Sequence, residues 1–146
     1  MILKLTQDFS LKDIEISIIY QERNKVMERI VSFLNSVDSE IKCNFGNGTI
    51  LLNVSDIYYI ECSNNKTIIY CENENYQINE RLYQIYEKLA GKGFVQISKY
   101  CIVNANKIEK FKSLFNSRME TVLTNGAKLL ITRKYLNDIK RILKDE

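Results

Sequence analysis

The sequence contains no histidine, no proline and no tryptophan among its 146 residues. Without histidine, neither a Ser-His-Asp triad nor a Cys-His nucleophile pair can form. The P-loop pattern Gly-x-x-x-x-Gly-Lys-Ser/Thr is also missing, and the acidic residues follow no motif typical of paired acid–base groups or of a Mg²⁺ site. We therefore predict that the protein is not an enzyme, has no catalytic residues, and uses neither a cofactor nor a small-molecule substrate.

Cysteine is present at four scattered positions, and no two cysteines form a Cys-x-x-Cys pair. The four are Cys43, Cys62, Cys71 and Cys101. A zinc site would need cysteines or carboxylates to converge without any of the usual sequence spacing. We therefore expect no metal site, and we interpret the cysteines as buried, reduced thiols in strands.

Long apolar runs are missing as well, since the longest, such as residues 57–60 and 129–131, extend over only a few positions. A transmembrane helix needs about 20 apolar residues. The first residues also lack the basic region and the apolar stretch of a secretory signal. These absences predict a cytoplasmic protein.

Basic residues are concentrated in the C-terminal part, although the net charge of the chain is only +3. Residues 88–144 contain 13 Lys and Arg against 3 Asp and Glu, whereas residues 1–87 contain 8 against 13. This polarity favours an anionic partner for the C-terminal part, with nucleic acid foremost. On charge alone, a solvated basic surface explains the distribution equally well.

The pattern of residues 1–38, which we call the leader, predicts a small βα unit. Residues 14–20 alternate and are rich in β-branched side chains, which is typical of a strand. From Glu22 to about Asn35, apolar residues recur every three or four positions, as on one side of a helix. This apolar stripe comprises Val26, Ile30, Phe33, Leu34 and Val37. So short a unit is expected to pack on the following domain, residues 39–146, or on a second subunit.

Residues 39–146 are predicted to be mainly β, which makes the whole chain α+β. A meander of about eight strands is expected, with tight turns at Asn47-Gly48 and at residues 63–66. A short mid-chain helix interrupts the meander, with an apolar side formed by Leu82, Ile85, Tyr86 and Leu89. A second helix closes the chain, with an apolar side formed by Tyr135, Leu136, Ile139, Ile142 and Leu143.

Basic, amide and aromatic side chains gather where turns are predicted between these elements. The candidates are Asn65, Lys66, Lys99, Tyr100, Arg118, Arg133 and Lys134. Arg133 and Lys134 fall in the first turn of the closing helix, where cations cost a few tenths of a kcal/mol up to about 1 kcal/mol. A phosphate bound there would remove the penalty, whereas simple tolerance of surface cations is the alternative explanation.

Three segments of the sequence resemble the LytTR family. Residues 54–62 are similar to its opening signature V-x-D-I-x-Y-I-E-a, and residues 94–104 to its central segment F-x-R-I-h-R-S-x-x-V-N. Residues 123–135 are similar to its terminal signature L-x-N-G-x-x-L-x-V-S-R-x-Y. Each segment is weak alone, but the three occur in the right order within residues 41–144. The resemblance implies small stacked β-sheets whose loops enter successive major grooves of double-stranded DNA.

The resemblance also implies roles for particular residues. Asn65 or Lys66 would lie in the first contacting loop, Lys99 in the central loop, and Arg133 at the last loop-to-helix junction. The chain departs from the family pattern in the central segment, where Gln96 replaces a common Arg and Ser98 a common His. The amide of Asn104 is expected to be structural and to close a turn.

The partners that the resemblance implies are duplex DNA and a second copy of the chain, at least on DNA with paired half-sites. The leader is too short for a receiver domain of about 120 residues, so it is expected to dimerise the protein or to answer a regulatory partner, such as a membrane protein. Two other functions stay open at this point, and a third, a hydrolase built on converging carboxylates, has no positive feature in the sequence. The basic face could dock an acidic protein, or exposed aromatic residues could stack on the bases of RNA.

Overall fold

The structure is a computed structural model that describes residues 1–144, without the side chains of Ser117 and of residues 142–144. Within that part, the chain forms three α-helices and ten β-strands. The helices are α1 (Lys25–Val37), α2 (Leu82–Lys88) and α3 (Arg133–Lys144). The strands are β1 (Glu40–Phe45), β2 (Gly48–Asn53), β3 (Tyr59–Ser63), β4 (Lys66–Tyr70), β5 (Asn75–Ile78), β6 (Phe94–Ser98), β7 (Cys101–Asn104), β8 (Ile108–Ser113), β9 (Met119–Leu123) and β10 (Lys128–Ile131).

Seven strands form the larger, antiparallel sheet, in the order β2-β1-β5-β4-β3-β7-β6. In its first hairpin Phe45 pairs with Gly48, so the two-residue turn is Gly46-Asn47. The predicted turn at Asn47-Gly48 is therefore wrong by one residue. The positive φ of +57° falls on Gly46, where the absence of a Cβ atom makes that conformation accessible.

A first hydrophobic core joins this sheet to α2. The sheet contributes fully buried isoleucines such as Ile60 and Ile69, and α2 contributes Ile85. The predicted apolar side of the mid-chain helix is confirmed for three of its four members, which are the buried residues Leu82, Ile85 and Leu89. The fourth, Tyr86, is exposed and does not belong to this core.

A second, three-stranded sheet in the order β10-β9-β8 encloses another core together with α3 and the β6–β7 end of the larger sheet. Ile97, Leu123 and Ile131 are buried in it, and α3 adds Leu136 and Ile139. These two helix residues confirm the predicted apolar side of the closing helix. The side chains of Ile142 and Leu143, predicted for the same side, lie outside the described residues.

The predicted strand over residues 14–20 is wrong in this structure. The segment has no regular secondary structure and pairs with no strand in the described part of the chain. Its alternating pattern is real, but a strand is stabilised by hydrogen bonds to a neighbour, and no neighbour lies beside it here. The helical half of the leader does form, with Asn24 Oδ1 accepting a hydrogen bond from Met27 N–H at 2.9 Å.

Helix α1 packs on the β domain with a different side from the one that the stripe predicted. The buried residues of α1 are Met27 and Ser36, whereas Ile30 and Leu34 are only half-buried. Three members of the predicted stripe are exposed, namely Val26 (53%), Phe33 (47%) and Val37 (44%). Asn53 Nδ2 donates a hydrogen bond to the Val37 carbonyl at 2.8 Å, which fastens the end of α1 to the β domain. The apolar residues outside this contact are left facing solvent.

Candidate nucleic-acid interface

All seven residues predicted to contact DNA are exposed, and they lie in four connections between elements of the fold. Asn65 and Lys66 lie at the β3–β4 turn, Lys99 and Tyr100 between β6 and β7, Arg118 between β8 and β9, and Arg133 and Lys134 at the start of α3. We call the five cations among them the basic row. The hydrogen bonds and clefts around these connections show which of them lie together.

The β3–β4 connection is a tight turn that fixes the first of these side chains. Ser63 pairs with Lys66, and the two residues between them, Asn64 and Asn65, have φ values of 53° and 63°. Two successive positive φ angles are the conformation that suits a two-residue hairpin, and asparagine tolerates them better than most residues. Asn65 and Lys66 are therefore held by a turn with little freedom.

The β6–β7 connection is shaped by the residues in which this chain departs from the family pattern. A register shift lies between Gln96 and Ser98, and Gln96 Nε2 donates to the Ser98 carbonyl at 3.0 Å. The Ser98 hydroxyl oxygen accepts from Tyr100 N–H at 3.3 Å. Beyond this bulge, Lys99 Nζ lies 5.4 Å from the centre of the Tyr100 ring. Gln96 and Ser98 thus stabilise the loop, and Lys99 and Tyr100 are what it exposes.

One cleft of about 740 Å³ brings the first two connections together. Asn65 and Lys66 line it from the β3–β4 turn, and Lys99 and Tyr100 line it from the β6–β7 connection. The cleft is also lined by Arg81, directly before α2, which was not among the predicted contact residues. The sequence contained one signal for Arg81, because it is a basic residue directly before the predicted mid-chain helix. Glu80 also lines the cleft, and its carboxylate is ion-paired with Lys88.

The start of α3 is joined both to the central loop and to the β8–β9 connection. Thr132 N–H donates to the Ile97 carbonyl of β6 at 3.0 Å, which places the first residue of α3 beside the β6–β7 connection. Arg133 Nη2 lies 3.5 Å from the Asn116 carbonyl, at a position where Asn116 has a φ of 64°. Arg118 follows in the same connection. One cleft and two hydrogen bonds thus link the connections that carry Lys66, Lys99, Arg133 and Arg118.

The electrostatics of the α3 start favour an anion. Arg133 and Lys134 occupy its first turn, which contains no acidic residue. The free backbone N–H groups at the start of a helix carry a partial positive charge, so two cations there repel that charge unless an anion is bound. A phosphate or the acceptor edge of a base would relieve the repulsion.

Asn104, whose amide was predicted to be structural, is buried beneath this surface. Its Nδ2 donates to the Ile57 carbonyl at 2.8 Å, and its Oδ1 accepts from Asn106 N–H at 3.0 Å, closing a turn after β7. The structural interpretation is confirmed. The side chain ties β7 to the segment before β3.

Replacing Asn104 by Ala should lower the free energy of unfolding by about 2–3 kcal/mol, because it leaves a buried carbonyl and an N–H group without their partner. Urea unfolding followed by circular dichroism measures the loss. A matched control is Asn125→Ala, in which the amide oxygen also accepts from a backbone N–H, that of Ala127, but on an exposed turn. The control should lose less than about 1 kcal/mol. Equal losses in the two variants would contradict the role given to Asn104.

The thiols lie in strands or at strand ends, and all four cysteines are free. Cys43 and Cys101 are buried as predicted, whereas Cys62 and Cys71 are only half-buried. Burial raises the pKa of Cys43 and of Cys71 to about 11, and that of Cys101 to about 12, because a thiolate loses its hydration there. In the part of the chain that the structure describes, no cluster of His, Cys, Asp or Glu residues could hold a metal ion.

These raised pKa values predict a loss of stability in alkali. The unfolded thiol ionises near pH 9, while Cys101 in the folded protein stays protonated until about pH 12, so rising pH stabilises the unfolded chain. The urea midpoint of the reduced protein should therefore fall between about pH 8 and about pH 10. Cys101→Ala should show a smaller fall than the parent. Identical pH dependence in both proteins would contradict the shift.

Exposed cations in linked connections of a β scaffold, accompanied by amide and aromatic side chains, are typical of a nucleic-acid-binding domain. The comparison with known families agrees with this class. Residues 47–144, about two-thirds of the chain, match the family described as "LytTr DNA-binding domain". The chain therefore belongs to the LytTR family, and the matched residues include the whole basic row.

Curated relatives are similar over the same part of the chain. "Sensory transduction protein LytT" from Enterococcus faecalis is 28% identical over 88 residues, which is 60% of this chain and 36% of that protein. "Transcriptional regulatory protein LytR" from Staphylococcus aureus is 29% identical over 90 residues, which is 62% of this chain and 37% of that protein. The match thus spans little more than a third of the length of each relative.

A solved structure shares the fold. A LytTr DNA-binding domain from Bacillus cereus superimposes with a TM-score of 0.68 over 72% of this chain and 96% of the other, at 21% sequence identity. The predicted fold, mainly β with stacked small sheets, a mid-chain helix and a closing helix, is confirmed. No helix within residues 1–144 is long and apolar enough to cross a bilayer.

Proposed function

We propose that the protein is a sequence-specific regulator of transcription that binds double-stranded DNA through the basic row. The observation that carries this proposal is that the connections holding these cations are linked to one another. Lys66 and Lys99 share one cleft, and the Thr132–Ile97 hydrogen bond sets Arg133 beside the same central loop. Membership of a DNA-binding family and the relative named as a transcriptional regulator support it.

Within this proposal the cations have different tasks. Arg133 has a planar, five-donor guanidinium that can bind the O6 and N7 atoms of a guanine with two hydrogen bonds. Lys66 and Lys99 act as point charges that contact phosphates or guanine. Arg118 and Lys134 contact the sugar-phosphate backbone of the DNA. The loops enter successive major grooves, each about 12 Å wide, along one side of the duplex. Binding involves no catalysis and no cofactor.

The proposed regulator acts in the cytoplasm as a homodimer, at least on DNA, with each copy on one half-site. Two-fold symmetry in the protein then appears as repeated half-sites in the operator. The leader, residues 1–38, is the proposed dimerisation or regulatory segment, and residues 39–146 the DNA-binding domain. A membrane protein is the regulatory partner proposed for the leader if it does not serve dimerisation.

A competition experiment tests which class of partner the basic row takes. The protein is bound to a labelled pool of random duplex DNA at low salt, and unlabelled duplex, single-stranded RNA of equal length, or polyglutamate is added. Duplex DNA should displace the label at the lowest concentration. Stronger displacement by RNA would show an RNA binder, and stronger displacement by polyglutamate would show a surface that docks acidic proteins.

A further inference from the structure

The segment before α1 exposes apolar side chains in a regular pattern. Ile14 is 84% exposed and Ile16 is 59% exposed, while Tyr20 is exposed and Ile18 half-buried. These four residues occupy alternate positions, so in an extended chain they share one face. The positions between them are Glu15, Ser17 and Ile19, which would face the other side, so that side is polar except at Ile19. An exposed apolar face of this kind marks an interaction surface.

We infer that residues 12–22 pair in antiparallel fashion with the same residues of a second copy, around a two-fold axis at Ser17. In this register each residue lies opposite the one equally far on the other side of Ser17. Ile16 lies opposite Ile18 and Ile14 opposite Tyr20, so the apolar face continues across both strands. The segment that fails to form a strand alone thereby gains its neighbour.

The charged residues of the segment favour this register, because an axis at Ile16 also keeps the apolar face continuous but sets Lys12 opposite Tyr20. With the axis at Ser17, Lys12 lies opposite Glu22, and symmetry makes two such pairs. An axis at Glu15 would set that carboxylate against its own copy, and an axis at Ile18 would set Glu22 against Ile14. An axis between two residues would place the apolar face of one strand against the polar face of the other.

Helix α1 supplies a cover for the paired strands. Two strands alone are only marginally stable in water, and they need a further layer on their apolar face. Only Arg23 and Asn24 separate Glu22 from the first residue of α1, so the strands stay close to that helix. The exposed residues of α1, Val26, Phe33 and Val37, provide an apolar surface of the required kind. The leader thus becomes a two-layer dimerisation unit shared by two copies.

Residues 12–37 would form the contact surface of the dimer proposed above. Only the binding of this dimer to paired DNA half-sites rests on the proposed function. The contacts lie in residues 12–37, outside the basic row. Dimerisation of the free protein can therefore be measured without DNA. A chain that dimerises in this way but binds no duplex would overturn the proposed function and leave the inference standing.

Sedimentation of the full-length, reduced protein tests the interface. The parent should associate reversibly to a dimer, and Ile16→Asp should be a monomer, because it places two carboxylates in the apolar face. Lys12→Glu and Glu22→Lys should each weaken the dimer about tenfold, since like charges then lie opposite one another. The double variant Lys12→Glu/Glu22→Lys should restore the affinity of the parent. These residues are exposed, so an unchanged circular dichroism spectrum controls for folding.

Crosslinking tests the position of the axis. Opposite residues in an antiparallel pair have Cα atoms about 4.5–5.5 Å apart, which allows a disulfide. Ser17→Cys should therefore form a covalent dimer under mild oxidation, and the control Ser10→Cys, outside the paired segment, should not. A monomeric parent, a dimer that Ile16→Asp leaves intact, or equal crosslinking by both cysteine variants would overturn the inference.

Discussion

A fourfold rise in salt, from about 50 to about 200 mM, should lower the affinity of the protein for a DNA site by about 150-fold. The reason is counterion release, in which each phosphate neutralised by a Lys or Arg contributes about −0.9 to the slope of log affinity against log salt concentration. Arg133 is assigned to a base edge, so the other four cations of the basic row give a slope of about −3.6 when each neutralises one phosphate. Fluorescence anisotropy with a labelled duplex at several salt concentrations measures the slope.

Single variants locate the source of this salt dependence. Lys99→Ala should reduce the magnitude of the slope by about 0.9, because one phosphate contact is lost. Lys42→Ala is the matched control, since Lys42 is an exposed lysine of β1 that does not line the cleft shared by Lys66 and Lys99. The control should keep the slope of the parent. A slope near zero for the parent, or equal changes in the two variants, would contradict phosphate binding by the basic row.

Replacing Arg133 by Ala should weaken binding to the preferred site by about 1–3 kcal/mol, which is about 5- to 150-fold, and should remove the preference at one base pair. The physical reason is the loss of a two-hydrogen-bond contact to a base edge at the anion-attracting start of α3. Titration of the protein against a set of duplexes with single base-pair changes measures both effects.

Two further variants test whether the planar guanidinium of Arg133 is required. One keeps its positive charge, and the other removes a different arginine of the same helix. Arg133→Lys keeps the charge but loses the planar fork, so it should keep the salt slope while losing base preference. Arg141→Ala is the matched control, because Arg141 is exposed on the same helix and ion-paired with Asp138. It should bind like the parent. If Arg133→Ala bound its site as tightly and as selectively as the parent, the role given to Arg133 would be wrong.

Strands of the β domain were predictable where alternation and turn residues coincide, as on both sides of the β3–β4 turn. Strand β5 (Asn75–Ile78) was missed, although it is central and pairs with both β4 and β1. It has four residues, of which only Tyr76 and Ile78 are apolar, so its alternation is too short to stand out. Its pairing comes from neighbours that are close in space rather than in local sequence.

The leader shows the opposite error, in which a clear local pattern did not produce the predicted structure. Residues 14–20 have strand periodicity, but periodicity specifies only which side chains share a face and supplies no hydrogen-bonding partner. In α1, the stripe identified apolar residues, but contact with the β domain selected Met27 and Ser36 for burial. Which apolar face a helix buries depends on the shape of the surface that it meets.

The candidate interface was predictable residue by residue but not as an arrangement. The resemblance placed Lys66, Lys99 and Arg133 in three separate connections, and exposure agrees with each placement. Their proximity depends on contacts between distant parts of the chain, such as the hydrogen bond from Thr132 to Ile97. Arg81 was missed for the same reason, because the cleft that it lines exists only after α2 has packed beside the β3–β4 turn.

The central claim is that cations fixed at the ends of loops bind one defined sequence in duplex DNA. Selection from a random duplex pool, followed by sequencing of the retained DNA, tests it most directly. The retained DNA should contain a consensus with two spaced half-sites, each with a guanine whose enrichment disappears when Arg133→Ala is used for the selection. Retained DNA with no consensus, or with the same consensus for parent and variant, would contradict it.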